Sequence, residues 1–311
     1  MSKFLVTGGA GFIGSHIVET LVKKGHKVRV LDNFSSGKTK NLTSVINKIE
    51  LIRGDIRSLK TCLKATKGIE YVSHQAALRS VPKSMVNPWE YNDVNIGGTL
   101  NMLEASKKNK IRCFAFASSS SVYGDIDRFP EQESFIPELI SPYALSKLTG
   151  EYYCGIYAYH YGLRCAALRY FNVFGPRQAL DDEYAVVIPK FIHCILHGQN
   201  PPIYGTGKQS RDFTFVANVV QANILAMQKK DRKFEVFNVA SGKDYTVLDL
   251  VSILNKITKK NIKPVFLPLR PGDVFKTLAD LSKSKKKLGF SPRVDFIEGL
   301  NITVNYFKKN D

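Results

Sequence analysis

The sequence has no apolar run approaching the ~18–20 residues of a membrane-spanning helix, so no helical membrane protein and no membrane partner is expected. No charged n-region, apolar h-region or small-residue cleavage site follows Met1, and the chain is read as cytoplasmic rather than secreted. The five cysteines (Cys62, Cys113, Cys154, Cys165 and Cys194) form no C-x-x-C pair, which fits reduced thiols. His193 and His197 lie one helical turn apart beside Cys194 but lack a further acidic or His partner, so no metal is expected. The serines at 118–121 lack a G-x-S-x-G elbow, which argues against a serine hydrolase. Neither an internal repeat nor a low-complexity linker is present. Acidic residues are scarce: 27 Asp and Glu face 45 Lys and Arg, a formal charge of +18. That excess fits a nucleic-acid binder, a protein of anionic nucleotides, or a solvated lysine surface. Only the run at residues 283–287 is dense, and no aromatic stripe interleaves it, so the solvated surface is preferred and no nucleic-acid partner is expected.

What is present is a chain of 311 residues, 44% hydrophobic, long enough for one large or two smaller domains. A short apolar strand, KFLVT, runs into GGAGFIG, with Gly8, Gly11 and Gly14 at the turn and an amphipathic helix over residues 12–22. Glycines there let a phosphate approach the backbone, and the helix N-terminus then faces it with free N–H groups. A second strand, KVRVLD, ends in Asp32, a residue type that accepts from ribose hydroxyls and repels a 2′-phosphate. Further strands are expected at 50–55, 70–77 and 112–120, with a long helix carrying Asn95 over 88–107. Such alternation means a doubly wound parallel α/β sheet, with ligands at the carboxyl ends of its strands. Gly8, Asp32, Ala76 and Ser118 all fall at such ends.

The stretch SSSSVYG…SPYALSK then places Tyr143 and Lys147 four residues apart, on one face of a helix. An ammonium beside a phenol favours the phenolate, so the pair reads as a tyrosine set to take a proton. A sixth strand leads to Tyr170, Phe171 and Asn172, and from about residue 176 the elements become shorter. Arg211 beside Asp212, and Arg270 near Asp273, lie in loops of this second region and fit a clamp on a substrate diphosphate. Between them, FEVFNVA (234–240) reads as a buried strand that returns to the main sheet.

TGGAGFIGSH, HQAALRSVP, SSSSVYGD, SPYALSK, LRYFNVFGPRQ, YAVVIPKFI, QSRDF and RPGDV occur in that order from residue 7 to about 274. The chain thereby resembles the extended short-chain dehydrogenase/reductase family, and within it the NAD-dependent nucleotide-sugar epimerases of the UDP-N-acetylglucosamine 4-epimerase type. The resemblance implies a Rossmann sheet with a smaller, mixed α/β substrate domain. The first domain is expected over 1–175 with a return segment at 217–243, and the second over 176–311 apart from that segment. Tyr143 is implied to be the base and Lys147 to lower its pKa, with Ser119 bonding the sugar O4 between Ser118 and Ser120. Tightly bound NAD is expected against Gly8, Gly11, Phe12, Ile13, Gly14, Asp32, Asn33, Ser36, Gly37, Asp55, Ile56, Gln75, Ala76, Ala77, Asn95, Ser118 and Tyr170, besides Tyr143 and Lys147. The UDP-sugar is expected at Ser80, Asn172, Val186, Val187, Tyr204, Arg211, Arg270 and Asp273, with Thr277 flanking the sugar 2-position.

Relatives that dehydrate or decarboxylate the sugar carry a Thr and an acid just before VYG; this chain has SSSS there, which leaves C4 epimerisation. The small Thr277 favours UDP-GlcNAc to UDP-GalNAc, with UDP-Glc to UDP-Gal also open. Arg79, standing where near relatives have Gly, keeps UDP-glucuronate open by offering a partner for a carboxylate. An idle dinucleotide-binding or RNA-binding protein is the reading from another class, and the Ser119, Tyr143 and Lys147 set argues against it. The family resemblance implies a homodimer through the Tyr143 helix, whose Leu148, Tyr152, Tyr153, Ile156 and Tyr157 serve a partner or the core equally well.

Overall fold

The computed structural model describes residues 1–180, 187–229, 233–269 and 274–310. Its strands are β1 (Lys3–Thr7), β2 (Lys27–Asp32), β3 (Ile49–Arg53), β4 (Tyr71–His74), β5 (Cys113–Ser119), β6 (Cys165–Tyr170), β7 (Val173–Phe174), β8 (Pro202–Tyr204), β9 (Ser210–Asp212), β10 (Thr214–Phe215), β11 (Phe234–Val239), β12 (Asp244–Thr246) and β13 (Val265–Leu267). Its helices are α1 (Phe12–Lys23), α2 (Leu59–Thr66), α3 (Val81–Val86), α4 (Pro88–Tyr91), α5 (Gly98–Lys108), α6 (Pro142–Tyr161), α7 (Val187–Leu196), α8 (Val216–Gln228), α9 (Val247–Thr258) and α10 (Phe296–Asn310). The helix expected as one piece over 88–107 is α4 and α5 joined by a wider, π-helical stretch at Asn92–Gly97.

Seven strands form a parallel sheet in the order β11-β6-β5-β4-β1-β2-β3. The segment at 234–239 does return to this sheet, pairing with β6. Successive side chains of a strand point to opposite faces. Thus Leu5 joins a core under α2, α5 and α6, while Phe4 and Val6 join another under α1 and α8. A further core of Phe174, Phe213, Phe215 and Phe296 packs with α7, α9 and α10 in the second region.

The ends of α6 follow from its sequence. The Ser141 hydroxyl accepts from Ala144 N–H, Pro142 occupies the first turn, and Gly162 ends the helix at φ +68°. Its closeness to the sheet depends on Gly150, where a Cβ would fall 2.3 Å from Cζ of Phe116 on β5. A second junction ties the 130s loop to the second region. Glu131 N–H donates to Leu278 O, and Asp280 N–H and the Asn238 amide donate to Glu131 O. The Glu131 side chain is buried there, and its Oε2 has no hydrogen-bond partner among the described residues. Burial raises this carboxyl to about 8, with Asp212 adding to the rise.

Gly150→Ala is expected to push α6 off Phe116 at a cost of about 1–3 kcal/mol, read as a lower Tm. The raised carboxyl of Glu131 binds its proton more tightly in the fold than in the unfolded chain. Its contribution to stability is therefore full below the ordinary carboxylate range and is lost as pH rises toward 8. Thermal melts of Glu131→Gln should accordingly lose less Tm than wild type between pH 5 and pH 8; an equal loss would place the titration elsewhere.

Candidate active site

The sheet's carboxyl edge opens into a cleft of about 360 Å³. Gly8, Gly11, Phe12, Ile13 and Gly14 form one wall, Asp32, Asn33, Ser36 and Gly37 a second, and Asp55 and Ile56 a third. Gln75, Ala76, Ala77, Ser118, Tyr143, Lys147 and Tyr170 close the inner end. The turn after β1 can only be built from glycine. Gly8 has φ +64°, with a Cβ falling 2.8 Å from Ala76 N, and a Cβ on Gly14 would fall 2.1 Å from Gly8 O. Gly11 begins α1 without a side-chain cap, which leaves its first N–H groups to an anionic ligand.

Hydrogen bonds fix the other walls. Asp32 accepts from Ala10 N–H and Phe34 N–H at 2.9 and 2.8 Å. Asp55 accepts from the Asn33 amide at 2.9 Å and is paired with Arg57, whose hydrogen bonds are the main cause holding its carboxyl down to about 2. The Thr7 hydroxyl accepts from Gln75 N–H and Ala76 N–H, both at 3.2 Å, so its own proton points to His74 Nδ1 at 2.7 Å. Burial lowers His74 to about 3, keeping the ring neutral, and its Nε2–H is left for Thr99 Oγ1 at 3.1 Å. This relay fixes the backbone where β4 meets the cleft.

At the inner end, Tyr143 stands edge-on to Tyr91 (ring centroids 6.4 Å), and its N–H donates to Ser84 Oγ. Lys147 Nζ donates to Ala117 O at 2.8 Å and lies 5.8 Å from the Tyr143 ring centre. The electrostatics differ from the expected ammonium beside a phenolate. Burial raises the Tyr143 phenol; the Ser119 hydroxyl acts against that rise, Tyr91 adds to it, and Arg79 also lowers it. Burial brings Lys147 itself down to about 7. Desolvation is the largest cause for both groups.

The other residues expected at the site are held as follows. Asn95 does not line the cleft: its amide bonds both N–H and O of Leu78 and the Ser146 hydroxyl, behind the wall. The Ser80 hydroxyl caps α3 by accepting from Lys83 N–H. Ser119 accepts from Ser121 N–H, and Ser120 starts the helical turn that follows. Thr277 is buried; its hydroxyl accepts from Asp212 N–H and donates to Asn172 Oδ1, each at 3.2 Å. Arg211 Nη1 donates to Ser210 O and Phe275 O, Tyr204 ends β8, and Val187 starts α7. Val186, Arg270 and Asp273 lie outside the described residues. No cluster of three or more metal-ligating side chains occurs among the described residues, and no described helix is long and apolar enough to cross a membrane. Arg57, Arg177, Tyr306 and Phe307 also line the cleft; Arg177 lies within LRYFNVFGPRQ, and no local motif marks the other three in the sequence.

Residues 4–240 match the model of the NAD dependent epimerase/dehydratase family. The chain is 39% identical over 309 residues to a putative UDP-glucose 4-epimerase of Methanocaldococcus jannaschii, covering 99% of each chain. Among solved structures, it is similar to a UDP-N-acetylglucosamine 4-epimerase of Methanobrevibacter ruminantium in complex with UDP-N-acetylmuramic acid. That match has 43% identity and a TM-score of 0.96, over 100% of this chain and 99% of the other. The UDP-glucuronic acid 4-epimerase of Bacillus cereus, in complex with UDP-glucuronic acid and NAD, is 34% identical with a TM-score of 0.91, over 99% and 100%.

Gly14→Ala is expected to abolish retention of a dinucleotide by the purified protein, because its methyl group and the Gly8 carbonyl cannot share one place. Ultraviolet absorbance of the purified variant checks this; unchanged cofactor content would mean that the turn does not hold the phosphates.

Proposed function

The chain belongs to the NAD-dependent epimerase/dehydratase family and is a nucleotide-sugar 4-epimerase, an isomerase that uses NAD; from that premise, we propose that it inverts C4 of UDP-GlcNAc to give UDP-GalNAc. One observation carries the proposed assignment of roles: Tyr143 and Lys147 meet at the inner end of a cleft whose outer wall is the glycine turn. The walls fit the cofactor, since glycine is forced at positions 8 and 14, the α1 N-terminus is uncapped, and Asp32 stands at the end of β2. When bound, NAD supplies a hydride acceptor and donor for C4.

The chain's own residues supply position and proton transfer. Tyr143 Oη would act as the phenolate, which the positive charge of a bound oxidised nicotinamide would favour against the burial that raises the phenol, taking the O4 proton and later returning it. The Ser119 hydroxyl bonds O4 in this reading, supported by its interaction with the Tyr143 phenol, whose rise it opposes. Lys147, anchored on Ala117 O and lining the cleft, holds the nicotinamide ribose in this reading. The UDP is bound by the second region, with Arg211 on the phosphates and Val187 and Tyr204 along the uridine, while Asn172 touches the sugar diphosphate and Thr277 leaves room at the sugar 2-position. The 4-keto sugar, held by its UDP, turns its other face to the cofactor before O4 is reprotonated.

A second reading, UDP-glucuronate, has its own observation: Arg79 is exposed, lines the cleft, and makes no hydrogen bond or ion pair among the described residues. The Methanobrevibacter protein was solved in complex with UDP-N-acetylmuramic acid, an acidic sugar nucleotide, which is in keeping with this reading. We also propose that two copies associate through α6. Tyr152 and Ile156 are 62% and 48% exposed, whereas Leu148 and Tyr157 are committed to the core.

Proton NMR of purified protein with UDP-GlcNAc, UDP-Glc or UDP-glucuronate, and no added cofactor, tests the reading. UDP-GalNAc is the expected product; turnover of UDP-glucuronate alone would move the substrate and make Arg79→Gly the variant that loses it. Tyr143→Phe should lower kcat by about 10²-fold or more while cofactor content stays unchanged. Near-wild-type turnover would remove Tyr143 from the role.

A further inference from the structure

Tyr143, Lys147 and Glu151 follow one another at four-residue spacing on one face of α6. The first two reach the cleft; Glu151 is 2% exposed and does not. Its Oε1 accepts from Ser118 Oγ at 2.5 Å and from Arg169 Nε at 2.9 Å, and its Oε2 accepts from Arg169 Nη2 at 2.8 Å. Ser118 and Arg169 are register partners in the β5–β6 pair, so their side chains stand on the same face of the sheet, under α6. Arg169 is 3% exposed and lies 4.7 Å from the Tyr123 ring centre. Well-packed apolar residues stabilise such a site as well as a buried ion pair does, so folding alone gives no reason for one here.

The chemistry of the three groups gives a reason. A carboxylate gripped by a guanidinium fork can only accept, so the Ser118 hydroxyl must donate to it. Ser118 is a lining residue of the cleft, and with its proton committed to Glu151 its oxygen has only lone pairs left to offer. The neighbouring carbonyl, that of Ala117, is already taken by Lys147.

We propose that Glu151, held by Arg169, is a positioning residue that locks Ser118 as a hydrogen-bond acceptor at the inner end of the cleft, where it selects a donor group on the bound dinucleotide. The inference rests on the reading of this cleft as the cofactor site. Glutamine at position 151 can donate as well as accept, so it frees the serine to point either way, and Ser118→Ala removes the acceptor.

The test is a double-mutant cycle of Glu151→Gln and Ser118→Ala, with two readouts: the rate at which bound cofactor is released, and kcat with KM for the sugar nucleotide. Each single variant should release cofactor about tenfold faster and lose about tenfold in kcat, with KM within about twofold of wild type. The double variant should be no worse than the poorer single one. Effects that multiply, to about a hundredfold, would show that Glu151 acts by another route and would overturn the proposal. Paired Glu151→Leu and Arg169→Leu separates positioning from packing: a wild-type Tm with the same faster release is expected, whereas wild-type release would reduce the network to packing. Cofactor release is read without substrate, so a wrong assignment of the sugar leaves this test intact; a wild-type protein with no dinucleotide would sink the cofactor reading instead.

Discussion

The contact between Gly150 and the ring of Phe116 sets how near α6 can lie to β5, and the geometry of the inner cleft depends on that approach. At this separation Lys147 Nζ reaches the Ala117 carbonyl across the end of the strand. The helical period then fixes its neighbours: Tyr143 one turn earlier, facing the cleft, and Glu151 one turn later, facing the Ser118 and Arg169 side chains of the sheet. A helix displaced by a methyl group would misplace all three together, because they share one rigid element.

Burial governs the charges at this end of the molecule more than pairing does. Desolvation raises the phenol of Tyr143 and lowers the ammonium of Lys147, so each is drawn toward its neutral form. The same cause raises Glu131 to about 8 and Asp212 to about 6 at the junction with the second region. Glu151 and Arg169 are the contrast, two buried charges that answer each other through a two-point fork. A site arranged in this way spends few fixed charges of its own at the reacting end, and leaves the field there to be completed by what binds.

Much of this was legible in the residues. Gly8, Gly14 and Asp32 lie at or just beyond strand ends, which show in sequence as apolar runs that stop, and the Tyr143–Lys147 pair shows by its own four-residue spacing. Asn95 illustrates the opposite case. Its place on the helix after β4 was readable, but its amide bonds Leu78 and Ser146 within a stretch where the helix widens (residues 92–97), which no local pattern announces. Glu151 lies at the same four-residue spacing as Tyr143 and Lys147, yet an acidic residue on a helix is ordinary until a buried arginine is seen opposite it.

By itself, then, the sequence determined the order of the main strands and helices, the glycine turn, the acid at the end of β2 and the pair on one face of α6. Each of these is a local property, set by side-chain period, backbone freedom and chain distance. Only the tertiary structure decided which groups are desolvated, that Ser118 donates to Glu151, that Thr277 is tied to Asn172 and Asp212, and that α10 closes one wall of the cleft. Those outcomes join residues tens to hundreds of positions apart, and burial, which sets their energies, exists only once the layers have packed.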